Sequence, residues 1–148
     1  MIKKTIMLSL FSASLFAGNI EWHTLSDMNA DFKNKSITKP VILFVGDSNC
    51  QYCVKELSDM ENDPKYVELV NNSYYNVHVN QDMEADNLPV QYTSDITPTI
   101  YLLNPEDLNP LTPEPTIGAV DINIMYSYLN SVNNAYNVYL DQLKKNQE

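Results

Sequence analysis

The side chains best suited to covalent chemistry in this sequence are the thiols of Cys50 and Cys53, separated by Gln51 and Tyr52. Two sulfurs at this spacing, at the start of a helix, lie within bonding distance and can pass between dithiol and disulfide. The unsatisfied N–H groups and the positive dipole end of that helix favour thiolate on the first sulfur. Cys50 is therefore the expected attacking thiol, exposed to solvent. Cys53, further inside the helix and nearer the core, is the expected resolving thiol that breaks a mixed disulfide.

Two other uses of the pair compete with redox chemistry. A purely structural disulfide closing so short a loop stabilises by only about 2 kcal/mol in the chain-entropy account, against about 3 for a loop of roughly 15 residues. A zinc site needs a full set of ligands, and the remaining soft donors, His23 and His78, have no finger-like spacing to the cysteines. No metal and no cofactor is expected.

The thiols must be positioned by what flanks them. Pro40 introduces Val41, Ile42, Leu43, Phe44 and Val45, a continuous apolar run closed by Gly46 and Asp47, as expected of a central strand buried on both faces. Ser48 and Asn49 are good N-cap residues, which predicts a helix from Cys50 through Val54, Leu57 and Met60. Asp63 and Pro64 open a second short helix with Tyr66, Val67, Leu69 and Val70 on its apolar face. Residues 74–79 read as a strand, residues 88–92 as a turn of helix, and residues 99–103 as a further strand after Thr97-Pro98.

Upstream, Trp22, Leu25, Met28 and Phe32 recur at spacings that predict a short helix within residues 21–39. Downstream, Pro105, Pro110, Pro113 and Pro115 predict an extended, exposed hairpin loop between Leu103 and Thr116. Asp121 is placed to cap a last helix whose apolar seam runs through Met125, Leu129, Val132, Tyr136, Tyr139 and Leu143. At ~1.5 Å per residue that helix is nearly 36 Å long. Its tail is expected to pack on residues 21–32, with pairing to a second subunit as the alternative. Strands alternating with helices, then a late hairpin, define an α/β domain with a mixed sheet.

At 148 residues, 44% of them hydrophobic, the chain suits one domain with a real core. Its 19 acidic against 9 basic residues give a net charge of -10, which repels phosphate backbones and anionic membranes and excludes nucleic acid as a partner. Lys3 and Lys4, the apolar residues 5–16, and small Ala17 and Gly18 have the layout of a secretory signal peptide. We place the signal at residues 1–17, cleaved after Ala17 or retained as an anchor, and the domain at residues 18–148. The protein is expected to be periplasmic or otherwise exported.

Several motifs together resemble the thioredoxin superfamily over residues 40–129. They are VILFV before CQYC, NDP at residues 62–64, YYNVHVN at residues 74–80 followed by acidic residues, Thr97-Pro98-Thr99, and Gly118 before the last helix. Within the superfamily they look most like the periplasmic C-terminal thioredoxin-like domain of thiol:disulfide interchange reductases. The resemblance implies a central mixed sheet flanked by helices, with Pro98 cis and opposite the cysteines. It also implies that Thr97 offers its backbone to an extended substrate segment, a mode tolerant of sequence because main-chain hydrogen bonds carry it. Thr97, Pro98, Gln51 and Tyr52 form the expected substrate-binding set. The alternative for Pro98 is a trans turn proline.

Two positions depart from the family pattern. Phe44 stands where thioredoxins commonly carry a buried acid that assists proton transfer at the inner cysteine, and Ser48-Asn49 replaces the usual Trp. Glu56 reads as an exposed helix carboxylate, with a stand-in for the missing acid as the alternative. Lys55 reads as solvent-facing, and His78 as a hydrogen-bonded structural residue.

Gln51-Tyr52 supplies no histidine to support a thiolate, and Asp47 opposes one. We therefore expect a Cys50 pKa nearer ~7 than ~3.5 and a potential closer to about -270 mV than -120 mV. The expected activity is an exported protein-disulfide oxidoreductase that reduces periplasmic protein disulfides with electrons from a membrane donor. The competing readings are a disulfide oxidase or isomerase and a non-catalytic binding module. The expected protein is a monomer, with dimerisation through the last helix as the alternative.

Overall fold

The computed structural model describes residues 18–147, so the expected signal segment at residues 1–17 lies outside the described residues. The apolar run after Pro40 becomes the middle strand of a five-stranded mixed sheet. The strands are β1 (Trp22–His23), β2 (Val41–Gly46), β3 (Tyr75–Asn80), β4 (Thr99–Leu103) and β5 (Thr116–Ile117), in the order β1-β3-β2-β4-β5. β3 runs parallel to both β1 and β2, whereas β4 runs antiparallel to β2 and β5.

All six residues of β2 are buried because helices and loops cover both faces of the sheet. Side chains alternate between faces along a strand. Ile42 and Phe44 thus face Met60 of α2 (Gln51–Glu61), Tyr66 and Val70 of α3 (Pro64–Ser73), and Met125 and Leu129 of the last helix. Val41, Leu43 and Val45 face Leu25 and Met28 of α1 (Leu25–Lys33), with Tyr92 from a 3-10 turn at Val90–Tyr92. Asp63 caps α3 by accepting from Tyr66 N–H, with Pro64 in the first turn.

Several expectations are corrected. Trp22 lies in β1, paired with Asn76, and not in the helix with Leu25. Thr24 is the N-cap of α1, and its exchange of hydrogen bonds with Asp27 is a capping box that starts the helix only at Leu25. A short helix, α4 (Gln81–Glu84), follows β3 and was not anticipated. The proline-rich connection is less open than its composition implies. Pro105 is buried, and Leu103 bridges Pro110 because Asn104 N–H and Leu111 N–H supply the donors that Pro110 lacks.

The last helix, α5 (Ile122–Lys145), starts where expected, with Asp121 accepting from Asn123 and Ile124 N–H. Its apolar seam does not meet α1, the larger part of residues 21–32 on which the tail was expected to pack, although Trp22 shares its face of the sheet. Met125 and Leu129 lie on the Phe44 face of the sheet, whereas Leu25 and Met28 lie on the opposite face. The seam therefore runs past the core, leaving Tyr139 51% and Leu143 37% exposed. Among the described residues, no helix is long and apolar enough to cross a membrane.

Candidate active site

The thiols are placed by the exit from β2. After Gly46 the chain turns through Asp47, whose carbonyl accepts from Cys50 N–H at 3.3 Å, and α2 begins at Gln51. The expected cap, Ser48 or Asn49, is replaced by Cys50 itself, whose Sγ accepts from Cys53 N–H at 3.0 Å. Ser48 instead donates its N–H to Asp82 at 3.1 Å, and the Ser48 hydroxyl, with a smaller contribution from that N–H, holds the Asp82 carboxyl below its usual range.

The structure brings Cys50 and Cys53 together as a disulfide with their Cα atoms 5.2 Å apart. Cys50 is half-buried, whereas Cys53 is 4% exposed and packs in the core with Phe44 and Met60. Gln51 and Tyr52 project outward on the rim of the pair. The pair is therefore graded in burial, with Cys53 inside the core and Cys50 at its margin, less exposed than its expected role as an open attacking thiol implies.

Gly46 is a site residue that the sequence reading took only as the end of a strand. A Cβ built there would stand 3.1 Å from Cys53 Sγ and 3.5 Å from the Phe44 ring. A side chain here would crowd the inner sulfur, which would have to give by a few tenths of an ångström. A glycine closing a buried strand just before the cysteines was the available signal.

Thr97 and Pro98 reach the same end of the sheet through the antiparallel register. Thr99 pairs with Val45, which puts Pro98 beside Gly46, and the Thr97–Pro98 bond is cis. Thr97 Oγ1 donates to Asp47 Oδ2 at 3.1 Å, joining this loop to the turn that carries Cys50. The approach to the loop is fixed by Gln81, which donates to Ser94 O at 2.7 Å and accepts from Ser94 N–H at 3.0 Å.

Glu56 is not the exposed carboxylate expected from its type. It is 2% exposed, faces inward one helical turn after Cys53, and accepts the Val120 N–H on both oxygens at 3.1 and 3.3 Å. Burial pushes its carboxyl above the usual range, with the Val120 hydrogen bond partly opposing that shift. Lys55 is solvent-facing as expected and pairs with Asp59.

His78 lies edge-on to Phe44 at 5.3 Å and tilted against Trp22 at 5.7 Å, so its role is aromatic packing where a hydrogen-bonded one was expected. Burial lowers its pKa. His23 stacks on Tyr75 with ring centroids 4.0 Å apart. Among the described residues, no cluster of His, Cys, Asp or Glu is arranged to hold a metal ion.

A family model described as a thioredoxin-like domain matches residues 30–133. A solved thioredoxin from Thermus thermophilus is 19% identical over 78% of this chain and 88% of its own, with a TM-score of 0.63. A DsbH oxidoreductase is 16% identical, covering 79% of this chain and 86% of its own, with a TM-score of 0.56. At these identities the two likenesses establish the fold alone. No curated protein matches the chain.

Proposed function

Because the chain belongs to the family of thioredoxin-like domains, we propose that it is an exported thiol:disulfide oxidoreductase that reduces protein disulfides through Cys50 and Cys53. The observation that carries this reading is the bonded Cys50–Cys53 pair at a helix start, with Cys50 half-buried at the margin and Cys53 buried in the core. In the reduced protein, Cys50 thiolate attacks one sulfur of a client disulfide, and the other client sulfur leaves as a thiolate. Cys53, as thiolate, then attacks Cys50 Sγ. The Cys50–Cys53 bond forms, the bond to the client breaks, and two electrons have passed from protein to client.

The cis Thr97–Pro98 loop is the proposed docking edge for an extended client segment, with Gln51 and Tyr52 contributing from the opposite rim. The reductive direction is supported by the surroundings of Cys50, which receives no histidine and has the Asp47 carboxylate in the preceding turn. A dithiol donor at the membrane would restore the reduced pair. The leader-like residues 1–17 support export to the periplasm.

The deciding measurement is the Cys50–Cys53 potential, by thiol trapping in glutathione or dithiothreitol buffers. A value near or below about -220 mV supports the reductase, and one near -120 mV makes the protein an oxidant of exported thiols. Cys50→Ser should abolish turnover of a disulfide substrate, and Cys53→Ser should accumulate the mixed disulfide. A wild-type protein with no turnover would be a binding module that keeps the fold.

A further inference from the structure

The three residues after β5 are tied to both halves of the candidate site. Gly118 N–H donates to the Pro98 carbonyl at 2.8 Å, one step beyond the Thr99–Ile117 pair. Gly118 has φ +79°, a left-handed conformation that turns the chain off the sheet and that side chains disfavour. Val120 N–H then meets the Glu56 carboxylate. A single short segment therefore joins the proline loop to the helix of the cysteines.

The Glu56 end of this link is unusual for a structural contact. The carboxylate is buried and, among the described residues, its one donor is a backbone N–H, while the adjacent cation in the chain, Lys55, is exposed and engaged with Asp59. A buried anion with so little compensation is no route to stability, and an apolar side chain of the same length would serve the core as well or better. What the carboxylate does supply is a directional anchor for Val120.

We propose that Glu56 is a positioning residue for substrate docking: through Val120 and Gly118 it holds the Thr97–Pro98 loop in register with the Cys50–Cys53 pair. The proposal rests on the thiol–disulfide reading above. A client strand laid on that loop must present its sulfur to Cys50 within a fraction of an ångström, and displacement of the loop costs rate with extended substrates in particular. A small disulfide that meets only Cys50 needs no such alignment.

The test compares wild type, Glu56→Met and Glu56→Gln, each reduced and then mixed with a disulfide-bonded peptide or with the small aromatic disulfide dithiobis-nitrobenzoate. Glu56→Met keeps length and shape but removes the acceptor, and its unfolding midpoint should be unchanged or raised. Its ratio of peptide to small-disulfide rates should fall roughly 10-fold or more, and Glu56→Gln, which retains an acceptor oxygen, should restore that ratio to within about threefold of wild type. Equal ratios in wild type and Glu56→Met would overturn the proposal, as would Glu56→Gln being as impaired as Glu56→Met. If wild type reduces neither disulfide, the reductase reading itself fails. If it reduces both and Glu56→Met keeps the wild-type ratio, the positioning role alone fails.

Discussion

Gly46→Ala should make the Cys50–Cys53 pair a stronger oxidant. The new methyl would stand 3.1 Å from Cys53 Sγ, well inside an ordinary contact, with the Phe44 ring at 3.5 Å on its other side. In the disulfide, Cys53 Sγ is fixed by its bond to Cys50 and cannot retreat. In the dithiol it is free to rotate about its own Cα–Cβ bond. The clash therefore falls mainly on the oxidised form. Forcing one extra methyl into a packed core costs about 1–3 kcal/mol. If most of that is borne by the disulfide, the potential rises by about 20–60 mV, since 30 mV corresponds to ~1.4 kcal/mol for a two-electron couple. Thiol trapping in glutathione buffers reads the shift directly, and denaturant unfolding of both redox forms gives the same difference independently. A potential equal to or below that of wild type would refute the reasoning. So would equal destabilisation of the two redox forms, which would mean that β2 moves and the sulfur does not.

Two further outcomes follow from groups already described. Burial raises the Glu56 pKa above its ordinary 4.5, opposed by the Val120 hydrogen bond and Lys55 and reinforced by the carboxylates of Asp59 on α2 and Asp121 before α5. The folded chain thus holds this proton more tightly than the unfolded one. The stability it contributes is full below about pH 4.5 and is lost as pH rises through the higher folded value. Wild type should therefore lose stability relative to Glu56→Gln between pH 4.5 and 7.5 in urea titrations, and a pH-independent difference would contradict the assignment. Tyr74→Phe removes a buried hydroxyl that donates to Leu129 O at 2.5 Å and should cost about 1 kcal/mol, seen as a lower unfolding midpoint. No measurable change would mean that this bond does not help hold α5 to the body.

The parts of the fold legible in the sequence were those where local pattern and tertiary burial agree. β2 reads as an unbroken apolar run because both sides of the sheet are covered, and Asp63-Pro64 and Asp121 announce their helices through capping that is local in sequence. The cysteine helix was legible for the same reason, although its cap is the cysteine itself. Glu56 was misread because residue type was weighed above position. Cys53, Glu56 and Met60 form one inward stripe at helical spacing, but the N–H that makes the carboxylate tolerable belongs to Val120, 64 residues away. The destination of the α5 tail was equally hidden, since periodicity gives a helix its apolar seam without saying which face of the sheet it joins. Trp22 was read into a helix although Thr24 and Asp27 carried the capping signal that excludes it.

The two border strands, β1 and β5, contain only two residues each. A free sheet margin is a template on which another extended chain can zip up, and long flat margins seed aggregation. Each of these border strands offers another extended chain only two residues to pair with. On the proposed function, a client strand is therefore expected to find its main-chain partners at the cis Thr97–Pro98 loop and not along β1 or β5.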